Sequence, residues 1–386
     1  MLPRHLPCLF AIALASCSSS HEQNADPPPL LVAMTLLTPR SPSLPDLDPD
    51  TPPPHAPIAI AASPNGLVAF DPLSGAPFAS APTRFRVVDI AHDPWRDRWI
   101  ASEYDDDSEN RVSVWRLLRP VGGLASIVLE REEQTGGYCR VAAGRSSLVA
   151  FEGDGLRQRW LLWDAEPQGR AGKAKGAMPA GLVIRDEEGA SSFVFASVSD
   201  DGSGFRAALG RRPVAQAEAG PIESTELQAW SGTESAVRAA DGGPGVIVLA
   251  QLSQHTLRVG AVRDDGVALA EPIAIESTGA RGAEDLVVDA SLGVAFVLVS
   301  GSDQVIAVDL ARRAEVGRAD APPLPKESPS WFTRLLAYDP RSRRLLVAGA
   351  DRVRAFDVGD QGDLRAARGF VPPAARRPIA IAAPRP

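Results

Sequence analysis

From residue 57 onward, apolar positions fall in short β-branched runs broken by Gly, Asp, Pro and Ser, with little helical periodicity. The clearest unit is RLLAYDPRSRRLLVAGADRVRAFDV at 334–358. It reads as strand, turn at Asp339-Pro340, strand, hairpin at Ala350-Asp351, strand. Pro presets the backbone angle of such a turn, and the Asp side chain accepts bonds from amides ahead of it. Residues 285–310 and 87–117 repeat the layout. Their third strands carry an apolar or aromatic marker, usually followed by Asp: Phe70, Trp115, Trp163, Val308 and Phe356. The markers are 45, 48, 145 and 48 residues apart, and 145 is about three steps of 48. Weaker units at 193–209 and 246–262 fill the long interval, which makes seven.

Units of about 40 to 50 residues with about four strands each predict a β-propeller. The markers and spacing resemble the broad WD40/YVTN-type propeller group, although the Gly-His element of WD repeats is missing. The expected fold is therefore all-β, a seven-bladed β-propeller closed by pairing of the C-terminal strand with the N-terminal blade. A repeated hexapeptide carries the closure: PIAIAA stands at 57–62 and again at 378–383. The first unit has no inner strand of its own, and the last is complete by about Phe370. The second copy is expected to supply the missing strand and remove an exposed sheet edge.

Ahead of this domain (57–386) the pattern changes. Residues 1–16 combine Arg4 with a short apolar run, the form of a secretion signal too short to span a bilayer as a helix. LASC at 14–17 resembles the lipobox of bacterial lipoproteins. That resemblance implies cleavage before Cys17, acylation of Cys17, and an envelope location, the outer membrane where the cell has two. Residues 18–56 hold ten prolines in 39 residues, an extended tether of roughly 120 Å at most. Its apolar octet LLVAMTLL, 30–37, is the exception.

The net charge of −8 and the lack of a Lys/Arg block give no footprint for nucleic acid. Cys139 is the one cysteine left in the domain and reads as a small core residue. His92, in AHDPW, and His255, in QLSQHTL, read as turn residues, so a histidine triad or zinc site is not expected. The phosphate-loop look-alike GRAGKAKG, 169–176, has the wrong spacing and reads as a solvated connection. The acidic hairpin 105–110 (DDDSEN) lacks EF-hand spacing and reads as solvated turn chemistry. Trp95 and Trp99 are expected to pack between blades.

No catalytic residue, metal or cofactor is assigned. The expected function is a monomeric, lipid-anchored propeller scaffold that binds another envelope protein or a surface polymer. The alternative is a propeller enzyme of lactonase or quinoprotein type. Its candidates at the inner-strand ends would be Asp89, Asp289 and Asp339.

Overall fold

The chain divides into two units, Met1–Leu47 and Asp48–Pro386. A computed structural model describes most residues from 58 to 382. Stretches longer than four residues outside that description are 105–109, 164–168, 214–224, 227–236, 276–281, 325–333 and 372–379, and for 152–237 only the backbone is described.

Every regular element described is a strand, and every ladder is antiparallel. Sheet 1 joins β1 (Ala59–Ser63), β2 (Gly66–Phe70) and β3 (Pro77–Ala81) to β29 (Ala380–Ala382), in the order β29-β1-β2-β3. Sheet 2 is β4 (Arg86–Asp93), β5 (Arg98–Tyr104), β6 (Asn110–Leu118) and β7 (Ser126–Thr135). Sheet 3 is β8 (Tyr138–Ala143), β9 (Leu148–Gly153), β10 (Arg157–Trp163) and β11 (Gly169–Lys175). Sheet 4 holds β12 (Met178–Glu187), β13 (Ala190–Asp200), β14 (Phe205–Pro213) and β15 (Thr225–Glu226). Sheet 5 holds β16 (Val237–Asp241), β17 (Val246–Gln251), β18 (Thr256–Arg263) and β19 (Gly266–Leu269), with β20 (Ile273–Ala274) also on β18. Sheet 6 is β21 (Gly282–Asp289), β22 (Val294–Ser300), β23 (Gln304–Asp309) and β24 (Ala314–Asp320). Sheet 7 is β25 (Leu336–Asp339), β26 (Arg344–Ala348), β27 (Val353–Val358) and β28 (Leu364–Ala366).

The lead strand of each sheet lies beside that of the next: β4 by β8, β8 by β12, β12 by β16, β16 by β21, and β21 by β25. Strand β29 lies beside both β25 and β4. The described residues of the two PIAIAA copies pair, with Ile60 opposite Ala382 and Ala62 opposite Ala380.

Apolar layers fill the space between successive sheets. One contains Phe296 and Leu298 of sheet 6, Leu345 and Phe356 of sheet 7, and Phe70 of sheet 1. Another joins Ile60 and Leu67 of sheet 1 to Trp99 and Trp115 of sheet 2. Strands covered on both faces read as unbroken apolar runs, which is why VAFVLV in β22 is buried throughout. Each fully buried side chain such as Phe296 contributes about 1.5–3 kcal/mol.

The repeat markers have a structural counterpart. Phe70, Trp115 and Val308 each follow a register shift between the third and fourth strands of their sheets. The Asp turns also recur. Asp71, Asp289, Asp309 and Asp339 each accept a bond from an amide two residues on or beyond: Leu73 N at 2.9 Å, Leu292 N at 3.1 Å, Arg312 N at 2.8 Å and Arg341 N at 3.2 Å. These turns close through a left-handed residue: Gly75 at φ 77°, Gly293 at 65°, Arg313 at 57° and Arg343 at 49°.

Two sequence expectations are corrected. Residues 169–175 of GRAGKAKG are not a connection but β11, the outer strand of sheet 3, paired along its length with β10. An edge strand paired on one side tolerates the small and charged residues that a central strand would not. His92 is not a turn residue either. It lies inside β4, opposite Trp99 of β5, and is buried. Its ring stacks on the Trp99 indole at 5.0 Å between centroids, so Trp99 belongs to the core. His255 does sit in a turn, at φ 49°, and Cys139 is buried and in no disulfide. Trp95, residues 105–109 of the acidic hairpin, and Cys17 with its tether lie outside the described residues.

Candidate functional site

Five sheets send a charged side chain to the line of lead strands. Asp89 comes from β4, Arg140 from β8, Arg238 from β16 and Asp285 from β21, while Arg334 lies just ahead of β25. Bulges aim the two aspartates. The register shifts between Val87 and Asp89 in β4, and between Ala283 and Asp285 in β21, leaving Val88 and Glu284 as the extra residues. A third bulge, between Pro179 and Gly181 of β12, carries no acid.

Both Asp89 oxygens are engaged. Oδ1 accepts from the amide of Ile90 at 3.0 Å and from Arg334 Nε at 2.7 Å. Oδ2 accepts from the amide of Val141, in the next sheet's lead strand, at 3.0 Å, and lies 3.7 Å from Arg140 Nη1. Arg334 also donates its own amide to the Val88 carbonyl at 3.1 Å. Asp285 repeats the arrangement. Its Oδ1 accepts from the amide of Leu286 at 2.9 Å and lies 4.0 Å from Arg238 Nε. Its Oδ2 accepts from the amides of Leu335 and Leu336 at 2.6 and 2.7 Å, again at the next lead strand. Arg238 Nε donates to the Glu284 carbonyl at 2.8 Å.

The electrostatics follow from this crowding. Burial works to raise the pKa of Asp89, but the guanidinium groups of Arg334 and Arg140 and the Val141 amide outweigh it. Its carboxyl is held below the usual value of 3.8. Burial, then the charge of Arg140, push Arg238 down to about 9. Burial also lowers Arg140, although Asp89 and Asp285 oppose it. A carboxylate serving as base or nucleophile needs a lone pair facing an open position. Here the lone pairs hold backbone amides of the following sheet and neighbouring arginines.

Asp89, Asp289 and Asp339 are not equivalent, contrary to the sequence expectation. Asp289 and Asp339 end β21 and β25, whereas Asp89 lies mid-strand and Asp93 ends β4. Asp289 Oδ2 accepts from the Tyr338 hydroxyl at 2.5 Å, and Oδ1 accepts from Ser291 Oγ at 2.6 Å. Asp339 accepts from the Ser342 hydroxyl. These two aspartates brace turns, and Asp93 pairs with Arg98 at 3.5 Å. Sequence reasoning missed Asp285, Arg140, Arg238 and Arg334. One signal was present: acids four residues apart, Asp89 with Asp93 and Asp285 with Asp289, share one strand face, and the first of each pair interrupts or opens an apolar run.

Other chemistry is sparse among the described residues. Burial, then the charge of Arg119, hold His92 down to about 3, so its imidazole is neutral at physiological pH. No group of three His, Cys, Asp or Glu side chains there is placed to share a metal ion.

No family model matches the chain, and no curated protein matches it in sequence. Solved structures do. A candidate 6-phosphogluconolactonase from Bacteroides uniformis is 13% identical, with a TM-score of 0.62 over 85% of this chain and 100% of that one. The β-propeller domain of Cps50 (Swd1) from Myceliophteria thermophila is 10% identical, with a TM-score of 0.58 over 79% and 94%. Apo AztD from Citrobacter koseri is 13% identical, with a TM-score of 0.54 over 85% and 97%. At such identities the likeness extends to architecture alone, and that architecture is the β-propeller.

Proposed function

We propose that the seven sheets are the blades of one closed ring, tethered to the cell envelope through acylated Cys17 and serving as a non-catalytic binding scaffold. The cyclic neighbourhood of the lead strands and the β29–β1 ladder support closure. The LASC segment at 14–17 supports the anchor. The absence of catalysis rests on one observation above all. The channel carboxylates Asp89 and Asp285 are each spent on the amides of the next blade.

Two measurements test this reading. Deleting residues 377–386 strips blade 1 of its inner strand, and the melting temperature is expected to collapse; an unchanged value refutes closure. The purified chain is expected to leave 6-phosphogluconolactone at its spontaneous hydrolysis rate. Hydrolysis above that rate, abolished by Arg334→Ala in a folded variant, would establish the lactonase alternative instead.

A further inference from the structure

The large apolar side chains that stay exposed in the described domain gather at one end of the strands. They are Leu73, Phe78, Leu118, Leu124 and Val371, while a sixth, Leu129, lies inside β7, paired with Trp115. Leu124 is 90% exposed and Val371 69%.

The ladders fix which end this is. Ala59 pairs with Phe70, and Phe70 with Pro77, so the start of β1, the 71–76 turn and the start of β3 lie together. Leu73 is in that turn, Phe78 is one residue beyond it, and the Val371 amide donates to the Ser74 carbonyl at 2.9 Å. Connection 82–85 leaves from the other end of β3. Strand β4 therefore runs back, and the β4–β5 turn opens on the same side as residue 58. The Leu117 amide donates to the Asp97 carbonyl at 2.8 Å, which places the end of β6, and with it the start of β7, there too. Leu118 ends β6, and Leu124 stands two residues ahead of β7. Sheet 7 has the same sense, since Arg344 Nη1 donates to the Leu73 carbonyl at 3.2 Å.

The chain thus enters the domain at residue 58 on the face where the exposed apolar side chains of the described residues gather. Taken with the acylated Cys17 of the preceding section, on which this inference depends, we infer that this face rests on the lipid surface. The occupant is the headgroup–acyl boundary of the bilayer that holds the anchor. Scattered single apolar residues on a surface need no explanation. A set gathered, among the described residues, on the face where the tether joins does, because that face can meet the lipid without the domain turning against its tether.

Nitroxide labels on the full acylated protein test it, in vesicles of phosphatidylethanolamine and phosphatidylglycerol. Cys139 is buried, so Leu124→Cys and Arg84→Cys each take one label. Arg84 is exposed in connection 82–85, at the far end. The label at 124 is expected to lose collisions with a water-soluble nickel chelate by about tenfold, as for a site roughly 5 Å below the headgroups. The label at 84 is expected to stay fully accessible. Equal accessibility of both labels on protein whose mass shows acylation overturns the docked face and leaves the anchor standing. A mature terminus with unmodified Cys17 overturns both.

Discussion

The seam between sheets 2 and 3 and the seam between sheets 6 and 7 solve one problem with different partners. In each, a bulge in the earlier lead strand aims an aspartate at amides of the later one. Asp285 takes two amides, from Leu335 and Leu336, and its arginine stands off at 4.0 Å. Asp89 takes one amide across the seam and lies against two guanidiniums, one of them contributed by sheet 7. The common element is the carboxylate-to-amide bond between neighbours. The arginines are what differ, and they make the Asp89 seam the more strongly ionic of the two.

Replacing each acid by Ala sharpens that difference. Asp89→Ala leaves Arg140 and Arg334 facing an empty site, and breaking a buried pair in this way costs about 3–5 kcal/mol. Asp285→Ala orphans the two amides across the seam, each worth about 1–2 kcal/mol, and breaks no ion pair closer than 4.0 Å, so the total loss is expected to be somewhat smaller. Denaturant titration of both variants gives the order, and the reverse order would refute the ionic account. The pH dependence separates them further. Asp89 has a folded-state pKa below its unfolded value, so the folded protein binds fewer protons. Its stabilisation is present above about pH 4 and is lost as pH falls through the lowered value. Wild type is therefore expected to weaken below about pH 4, and Asp89→Ala to show a flatter acid limb. The smallest effect is expected from Tyr338→Phe, which removes the hydroxyl donor to Asp289 in the sheet 6–7 seam. It should cost about 1–2 kcal/mol in the same titration, since Asp289 keeps its Ser291 partners.

What the sequence revealed and what it hid divide along the same physical line. Features that depend on neighbours in the chain were legible. The Asp turns at 289 and 339, the markers Phe70, Trp115 and Val308, and the matching hexapeptides all act within one sheet or announce themselves by repetition. The ionic cluster was not legible, because Asp89 and Arg334 meet across 245 positions. His92 misled for a related reason. It precedes Asp93-Pro94, which reads as a turn, but the strand runs through Asp93 and the ring finds the Trp99 indole across the ladder. In GRAGKAKG, glycine and charge suggested a loop, and only the register with β10 identifies an edge strand.

The position of β1 bears on how the domain carries load. It is clamped between β2 and β29, and the chain ahead of it leaves from the end where Ala59 meets Phe70. Tension arriving through the preceding segment acts along the strand, in shear, on both ladders at once. The bonds then resist together instead of parting one after another like a zipper. A hairpin pulled open from its ends would lack that toughness.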